Sequence, residues 1–270
     1  MELLGVRLSS ISNKDVLNAI EKYLDTSSLH HIVTINPEFV VEAQKNSRFK
    51  DILNQADIQL VDGYGLVVAL EYLRTRGVEK DSLLVGFLKF FVVYIQLLIA
   101  GQKPQNITRL TGVDLIWLLV QQEFMRGRKM YLLGGKKHVS AQAVNRLSEF
   151  NEAIHFRSSN GLDNVRDPDM KQEEDILADI NAFAPDVLLV AYGHPWQDEW
   201  IAAHANELRC RVAVGVGGAF DYISQRVTRA PTWMRSLGLE WLYRLMKDPG
   251  RFVRIFRATF VFVKLVISKG

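Results

Sequence analysis

Short apolar, β-branched runs recur along the chain at 31–35 (HIVTI), 58–61 (IQLV), 129–133 (KMYLL), 186–191 (DVLLVA) and 211–216 (RVAVGV). Runs of this length and character predict buried parallel strands. Between them the apolar positions change to a helical period, clearest at 37–55, 113–126, 138–149, 170–183 and 196–208. Asp169 and Pro195 stand near helix starts, where capping carboxylates and first-turn prolines belong. Strand–helix alternation with short connections predicts an α/β fold, a Rossmann-like parallel sheet sandwiched by helices.

Two segments depart from this rhythm. Residues 83–100 read LLVGFLKFFVVYIQLLIA, with Lys89 and Gln96 the only strongly polar interruptions. That run is at the lower edge of spanning length, and Gly86, Lys89 and Gln96 weaken a transmembrane reading. It predicts a membrane-dipping helix or hairpin within an apolar insertion at about 80–104. A buried or oligomer-interface helix and a true span are the alternatives. Near the C-terminus, Arg251, Arg254, Arg257, Val261, Lys264 and Ser268 recur at steps of three or four, with Phe252, Ile255, Phe256, Thr259, Phe260, Val263, Val266 and Ile267 on the other side. This predicts a basic amphipathic helix, the pattern of an interfacial anchor, with docking on the body as the alternative. The expected division is a catalytic domain at 1–235 and a membrane-associating appendage at 236–270.

Composition narrows the setting. A chain of 270 residues, 48% hydrophobic and 23% charged, can build one substantial core. One cysteine, Cys210, excludes an internal disulfide and fits a reducing cytosol. The first residues, MELLGVRLSSISNKD, lack the apolar core of a signal peptide. Charge is uneven: from Arg235 onward the chain carries a net +6, on a whole that totals +3. A basic tail on a mildly acidic body points to an anionic membrane surface as partner, with no nucleic acid expected and homo-oligomerisation left open.

Candidate chemistry gathers after the strands, where α/β folds bind ligands. Thr34-Ile35-Asn36-Pro37 ends the first strand and Asp62-Gly63 the second. Gly134-Gly135-Lys136 ends the third. Gly193-His194-Pro195-Trp196-Gln197-Asp198 comes after the fourth, and Gly215 to Asp221 after the fifth. Glycines there let the backbone approach a ligand and present amides to a phosphate. A dinucleotide fingerprint fails because Phe220 stands where the last glycine belongs, which disfavours an oxidoreductase, and no phosphate-binding P-loop sequence occurs. Asp167-Pro168-Asp169 has the form of a metal-binding Asp-x-Asp but reads better as a turn and helix cap. The histidines supply no H-x-x-x-H pair.

Thr34-x-Asn36, Asp62-Gly63, Arg109-x-Thr111-Gly112-x-Asp114, Leu132-Leu133-Gly134-Gly135, Gly193-x-Pro195-x-Gln197, Gly215-x-Gly217-Gly218-x-Phe220-Asp221, Arg229-Ala230-Pro231 and Gly238-Leu239-Glu240-Trp241-x-x-Arg244 succeed one another in order. In this the chain resembles the WecG/TagA/CpsF glycosyltransferases (glycosyltransferase family 26). The resemblance implies an inverting transferase without a metal or other cofactor, moving a sugar from a UDP-sugar to a polyprenyl-diphosphate-linked acceptor in surface polysaccharide synthesis. It implies a peripheral or monotopic enzyme on the cytoplasmic membrane face, and Asp62 as the base.

Thr34 and Asn36 then position hydroxyls, and Gln197 contacts a sugar. Gly134, Gly135, Gly217, Gly218 and Arg109 neutralise the departing diphosphate, with Arg229 and Arg244 as further phosphate or acceptor contacts. Tyr131 and Asp221 are candidate nucleotide contacts. The chain departs from the family at Asp198, where a glutamate is usual, and in a longer 62–109 segment. A non-catalytic nucleotide-sugar-binding module is the competing reading, and needs no base at Asp62.

Overall fold

The computed structural model describes residues 1–76, 82–99 and 107–270. Both ends of the segment expected at 80–104 lie outside them. A small antiparallel hairpin, β1 (Glu2–Leu3) and β2 (Val6–Arg7), precedes α1 (Asn13–Leu24). Then come β3 (His30–Ile35), α2 (Pro37–Ala43), α3 (Ser47–Gln55), β4 (Ile58–Val61), α4 (Tyr64–Arg76), α5 (Leu83–Ile99) and α6 (Gly112–Val120). The chain continues through β5 (Lys129–Gly134), α7 (Val139–Phe150), β6 (His155–Ser159), α8 (Met170–Phe183), β7 (Val187–Ala191), α9 (Trp196–Ala203) and β8 (Val212–Gly215). Five helices close it: α10 (Ala219–Ile223), α11 (Thr232–Ser236), α12 (Glu240–Lys247), α13 (Phe252–Phe256) and α14 (Phe262–Lys269).

The main sheet runs β4-β3-β8-β7-β5-β6, with every pairing parallel. The five expected strands are present, and their inward residues are buried on both sides. One face packs α1, α6, α7 and α10 on Ile32, Leu60, Leu132, Leu189 and Val214. The other is covered by α2–α5 and α14 over Val33, Ile35 and Val61, and by α8 and α9 over Leu133, Leu188 and Val190.

Two local departures have physical causes, and one local expectation holds. The helical period at 37–55 breaks at Asn46, whose side chain accepts from the Phe49 amide at 2.9 Å and starts α3 afresh. Edge strand β6 carries the sequence HFRSS, half-exposed, so no apolar run marked it. Asp169 caps α8 by accepting from the Gln172 amide at 2.9 Å, as its turn-and-cap reading expects.

Helix α5 folds back along α4: Tyr94 packs edge-on against Tyr64, and Phe90 lies against Tyr72. Its Gly86 meets Ile267 of α14, a contact only a residue without a side chain permits. No helix among the described residues is long and apolar enough to cross a membrane. The tail splits in two at a π-helical turn, Arg257–Val261. Before and within that turn Phe252, Val253, Phe256 and Phe260 are exposed; after it Phe262, Val263, Val266 and Ile267 are buried in the same cluster as α2, α4 and α5. The expected apolar face is thus half on the surface and half in the core. The side chains of Arg251, Arg254 and Arg257, which carry much of the expected basic stripe, lie outside the described ones.

Candidate active site

The carboxyl ends of β3, β4, β5, β7 and β8 open into a cleft of about 310 Å³. Thr34, Asn36, Asp62, Gly135, Gln197, Gly217, Gly218, Asp221, Arg229 and Arg244 all line it. Five separate strand ends therefore deliver eight of the sequence-derived candidates to one place, and the chain after α10 adds Arg229 and Arg244.

Asp62 comes directly after the last residue of β4, its amide bonded to the Ile35 carbonyl at 2.8 Å. The next residue must be glycine, because a Cβ on Gly63 would collide with the Pro37 ring at the start of α2. This close approach seats Asp62 beside Thr34 and Asn36. Burial pushes the Asp62 carboxyl up to about 7; Arg244 and Arg109 draw it down, while Glu240 and Asp114 push it further up. A carboxyl in that range can hold or release a proton near neutral pH.

Thr34 is buried, and its hydroxyl donates to the Gly215 carbonyl at 2.7 Å, tying β3 to the end of β8. Asn36 is the N-cap of α2; its side-chain oxygen accepts from the amides of Glu38 at 2.8 Å and Phe39 at 3.4 Å. That turns the amide nitrogen into its remaining offer to a ligand. Gln197 has a structural duty as well. Its side-chain oxygen accepts from the Gly217 amide at 2.8 Å, fixing the glycine turn that presents Gly217 and Gly218 to the cleft. Asp198 beside it is fully buried and 3.3 Å from Nε2 of His31, packed against Gly215, so the shorter carboxylate is absorbed into the sheet interior.

The opposite wall is cationic. Arg229 grips Asp114 through both terminal nitrogens, at 2.6 and 2.8 Å, and reaches the Thr111 hydroxyl at 3.2 Å. Burial alone would raise the Asp114 carboxyl, but hydrogen bonds from Arg229 and Thr111 hold it below its usual range. Asp114 thus stays ionised and locks Arg229 at the start of α6. Arg244, on α12, bonds Glu240 at 2.7 Å and stacks over the Tyr222 ring at 5.1 Å. The N-terminus of α6 also opens into the cleft at Thr111 and Gly112, adding its amides and the positive end of the helix dipole.

The sequence profile of the WecG/TagA/CpsF glycosyl transferase family matches residues 1–87 and 89–270. The chain belongs to that family. It is 31% identical over 233 residues to an N-acetylglucosaminyldiphosphoundecaprenol N-acetyl-β-D-mannosaminyltransferase of Bacillus spizizenii strain W23, covering 86% of this chain and 77% of that one. The transferase of the same name from Staphylococcus aureus strain MRSA252 is 26% identical over 257 residues, covering 94% and 87%.

Within this glycosyltransferase, three expected contacts do not line the cleft. Tyr131 is fully buried on the other side of β5, where its hydroxyl donates to Asp179 of α8. Alternation along the strand explains it: Leu132 faces one helix layer, so Tyr131 must face the other. Arg109 leaves the cleft wall to bond the Arg235 carbonyl at 3.4 Å, and acts on Asp62 through charge alone. Gly134 packs under Tyr192 and supports Gly135, which does reach the cleft.

Four residues of the cleft received no role from sequence reasoning: Lys136 and Glu240, which stand in the quoted segments, and Tyr192 and Tyr222, which do not. Lys136 stands directly after the Gly134-Gly135 pair, and its strand-end position is the available signal. Glu240 and Tyr222 are brought in by helices α12 and α10, for which no strand-end argument exists. His194 also reaches the cleft, its ring stacked on Phe39 at 5.1 Å and Nε2 3.3 Å from Glu38.

Proposed function

We propose that the protein transfers a sugar from a UDP-sugar to a hydroxyl of a polyprenyl-diphosphate-linked acceptor, with inversion and without a metal ion. The observation that carries this reading is one carboxylate, Asp62, set at a strand end between a cationic wall and two polar strand ends. Asp62 accepts the proton of the acceptor hydroxyl as its oxygen bonds to the anomeric carbon. The bond from that carbon to the diphosphate breaks, and UDP leaves with the electron pair. The charge developing on the diphosphate meets Arg229, Arg244 and Lys136, together with the amides of Gly217, Gly218 and the α6 N-terminus.

Two further features support the reading. Arg229, Arg244 and Lys136 line the cleft and can supply the charge a metal would bring. The two relatives carry names that specify an N-acetyl-β-D-mannosaminyl product on an N-acetylglucosaminyl-diphospho-lipid. We take N-acetylmannosamine as the first sugar to test, and the cytoplasmic membrane face as the place where both substrates meet. A β-linked product from the α-linkage usual in UDP-sugars is an inversion.

The test offers a panel of UDP-sugars with N-acetylglucosaminyl-diphospho-prenol, reads UDP release, and assigns the product's anomeric configuration by NMR. UDP release dependent on both substrates, with a β product, supports the reading. Binding of a UDP-sugar without turnover on any lipid-linked acceptor makes the protein a binding module instead.

A further inference from the structure

The outer face of α5 inverts the usual rule for a surface helix. Leu84, Leu88, Phe91 and Val92 stand at helical spacing and are 73, 59, 60 and 51% exposed. Leu83, Val85 and Ile99 are exposed too. An apolar stripe this continuous on a surface helix marks a binding surface.

Beside the stripe, α4 and α5 part to form a second cavity of about 320 Å³. Tyr72, Val85, Leu88, Val92 and Val93 make its walls, and Arg76 and Lys89 stand among them. The Arg76 guanidinium donates to the carbonyl of Ile267 in α14 at 3.3 Å and to that of Gly270, just after it, at 2.8 Å. Lys89 is exposed on α5. The groove therefore combines a hydrocarbon lining with two cations, which is the chemistry of an acyl chain joined to a phosphate.

We propose that the groove between α4 and α5 seats an acyl chain of an anionic bilayer phospholipid, its phosphate held by Lys89 and Arg76. The charge pair argues for this lipid rather than for the acceptor. Asp62 precedes the first turn of α4, whereas Arg76 ends that helix, roughly 18 Å away at about 1.5 Å per residue. An acceptor whose hydroxyl meets Asp62 carries its diphosphate only a sugar ring further on, short of Arg76. The second pair of cations addresses a second phosphate. The proposal rests on the lipid-linked reading only in that an acceptor in the bilayer brings the enzyme to the bilayer.

The experiment uses the full chain in co-sedimentation with vesicles of phosphatidylcholine alone or mixed with phosphatidylglycerol, and NMR titration with soluble dihexanoylphosphatidylglycerol. The wild type is expected to prefer the phosphatidylglycerol vesicles. Lys89→Glu should remove that preference by about tenfold or more, since each basic residue near an anionic leaflet is worth about 1 kcal/mol and the change reverses a charge. Val92→Glu should weaken binding to both vesicle types and abolish the response to the soluble lipid. Circular dichroism and melting of both variants should match the wild type, because both positions face solvent.

Turnover on an acceptor with a prenyl chain short enough to be soluble should be unchanged in both. Undiminished vesicle preference in Lys89→Glu overturns the proposal. So does loss of turnover on the soluble acceptor, which would put the groove on the catalytic path. A wild type that transfers no sugar to any acceptor defeats the proposed function, while the vesicle and titration results still decide the groove.

Discussion

Replacing Asp62 by Asn should make the enzyme more stable and nearly inactive, and the two effects have one cause. In the fold burial holds the carboxyl near 7, whereas its ordinary value is 3.8. A carboxyl whose value is raised on folding binds its proton more tightly in the folded state. Its contribution to stability is therefore complete below about pH 4 and is lost as pH rises to about 7. At about 1.36 kcal/mol per pH unit, the ionised side chain costs the fold up to roughly 4 kcal/mol at pH 8. Asn keeps the size and polarity without the charge. Allowing half of that cost, the variant gains about 2 kcal/mol at pH 8, or about 4–8 °C in Tm for a chain of this size. At pH 5 the same reasoning leaves about 0.8 kcal/mol, and the gain vanishes only below about pH 4.

The activity moves the other way, falling by about 10²–10⁴ as a general base is lost. The wild-type rate should rise with pH through about 7 and then level, and the variant's residual rate should lack that rise. UDP affinity should change little. The measurements are differential scanning calorimetry at pH 5 and 8 and UDP release across the same range. An Asn variant of unchanged Tm at pH 8 would refute the buried-charge argument. One that keeps near-full turnover would remove Asp62 as the base.

Gln197→Ala strips the Gly217 amide of its acceptor, at a cost of about 1–3 kcal/mol; kcat/KM for the UDP-sugar should fall at least about fivefold, with a smaller change for the lipid acceptor. EDTA should leave turnover unchanged, and Asp167→Asn with Asp169→Asn should be nearly silent, since Asn also caps a helix; activity lost to EDTA and restored by Mn²⁺ would contradict the metal-independent mechanism. In the tail, Phe262→Ala should cost about 3–5 kcal/mol in urea unfolding, whereas Phe260→Ala, at 56% exposure, should stay within about 0.5 kcal/mol.

Strand ends were the most legible part of this chain. A buried parallel strand is a short apolar run, and the chain leaving it must turn at the sheet's carboxyl edge, so Asp62, Gly135, Gln197 and Gly217 could be placed together from position alone. Position could not give side-chain direction. Tyr131 lies within the run 129–133, yet the pleat sends it into the layer under α8. Arg109 stands one residue from Leu110, whose amide extends the β4 ladder at Val61, and there its own side chain turns toward Arg235. The tail misled for a related reason. Its apolar face looks continuous on a helical wheel, but the π-helical turn at Arg257–Val261 adds a residue to the turn and shifts the register. Phe260 is therefore exposed, while Val263, three residues on and expected on the same face, is buried.

That register shift connects the exposed apolar surface to the chemistry. Helix α14 is core, wedged against Gly86 of α5 and pinned at its end by Arg76. Helix α12, upstream on the same tail, carries Glu240 and Arg244 into the cleft, where they pull the Asp62 carboxyl in opposite directions. Without a substrate, Asp62, Asp114 and Glu240 offset Arg229 and Arg244. On the proposed reading a bound diphosphate adds negative charge on the arginine side and shares those cations with the carboxylates. Asp62 then loses, on the same reading, part of the attraction that lowers its proton affinity, so at saturating UDP-sugar the rise of rate with pH should move above about 7.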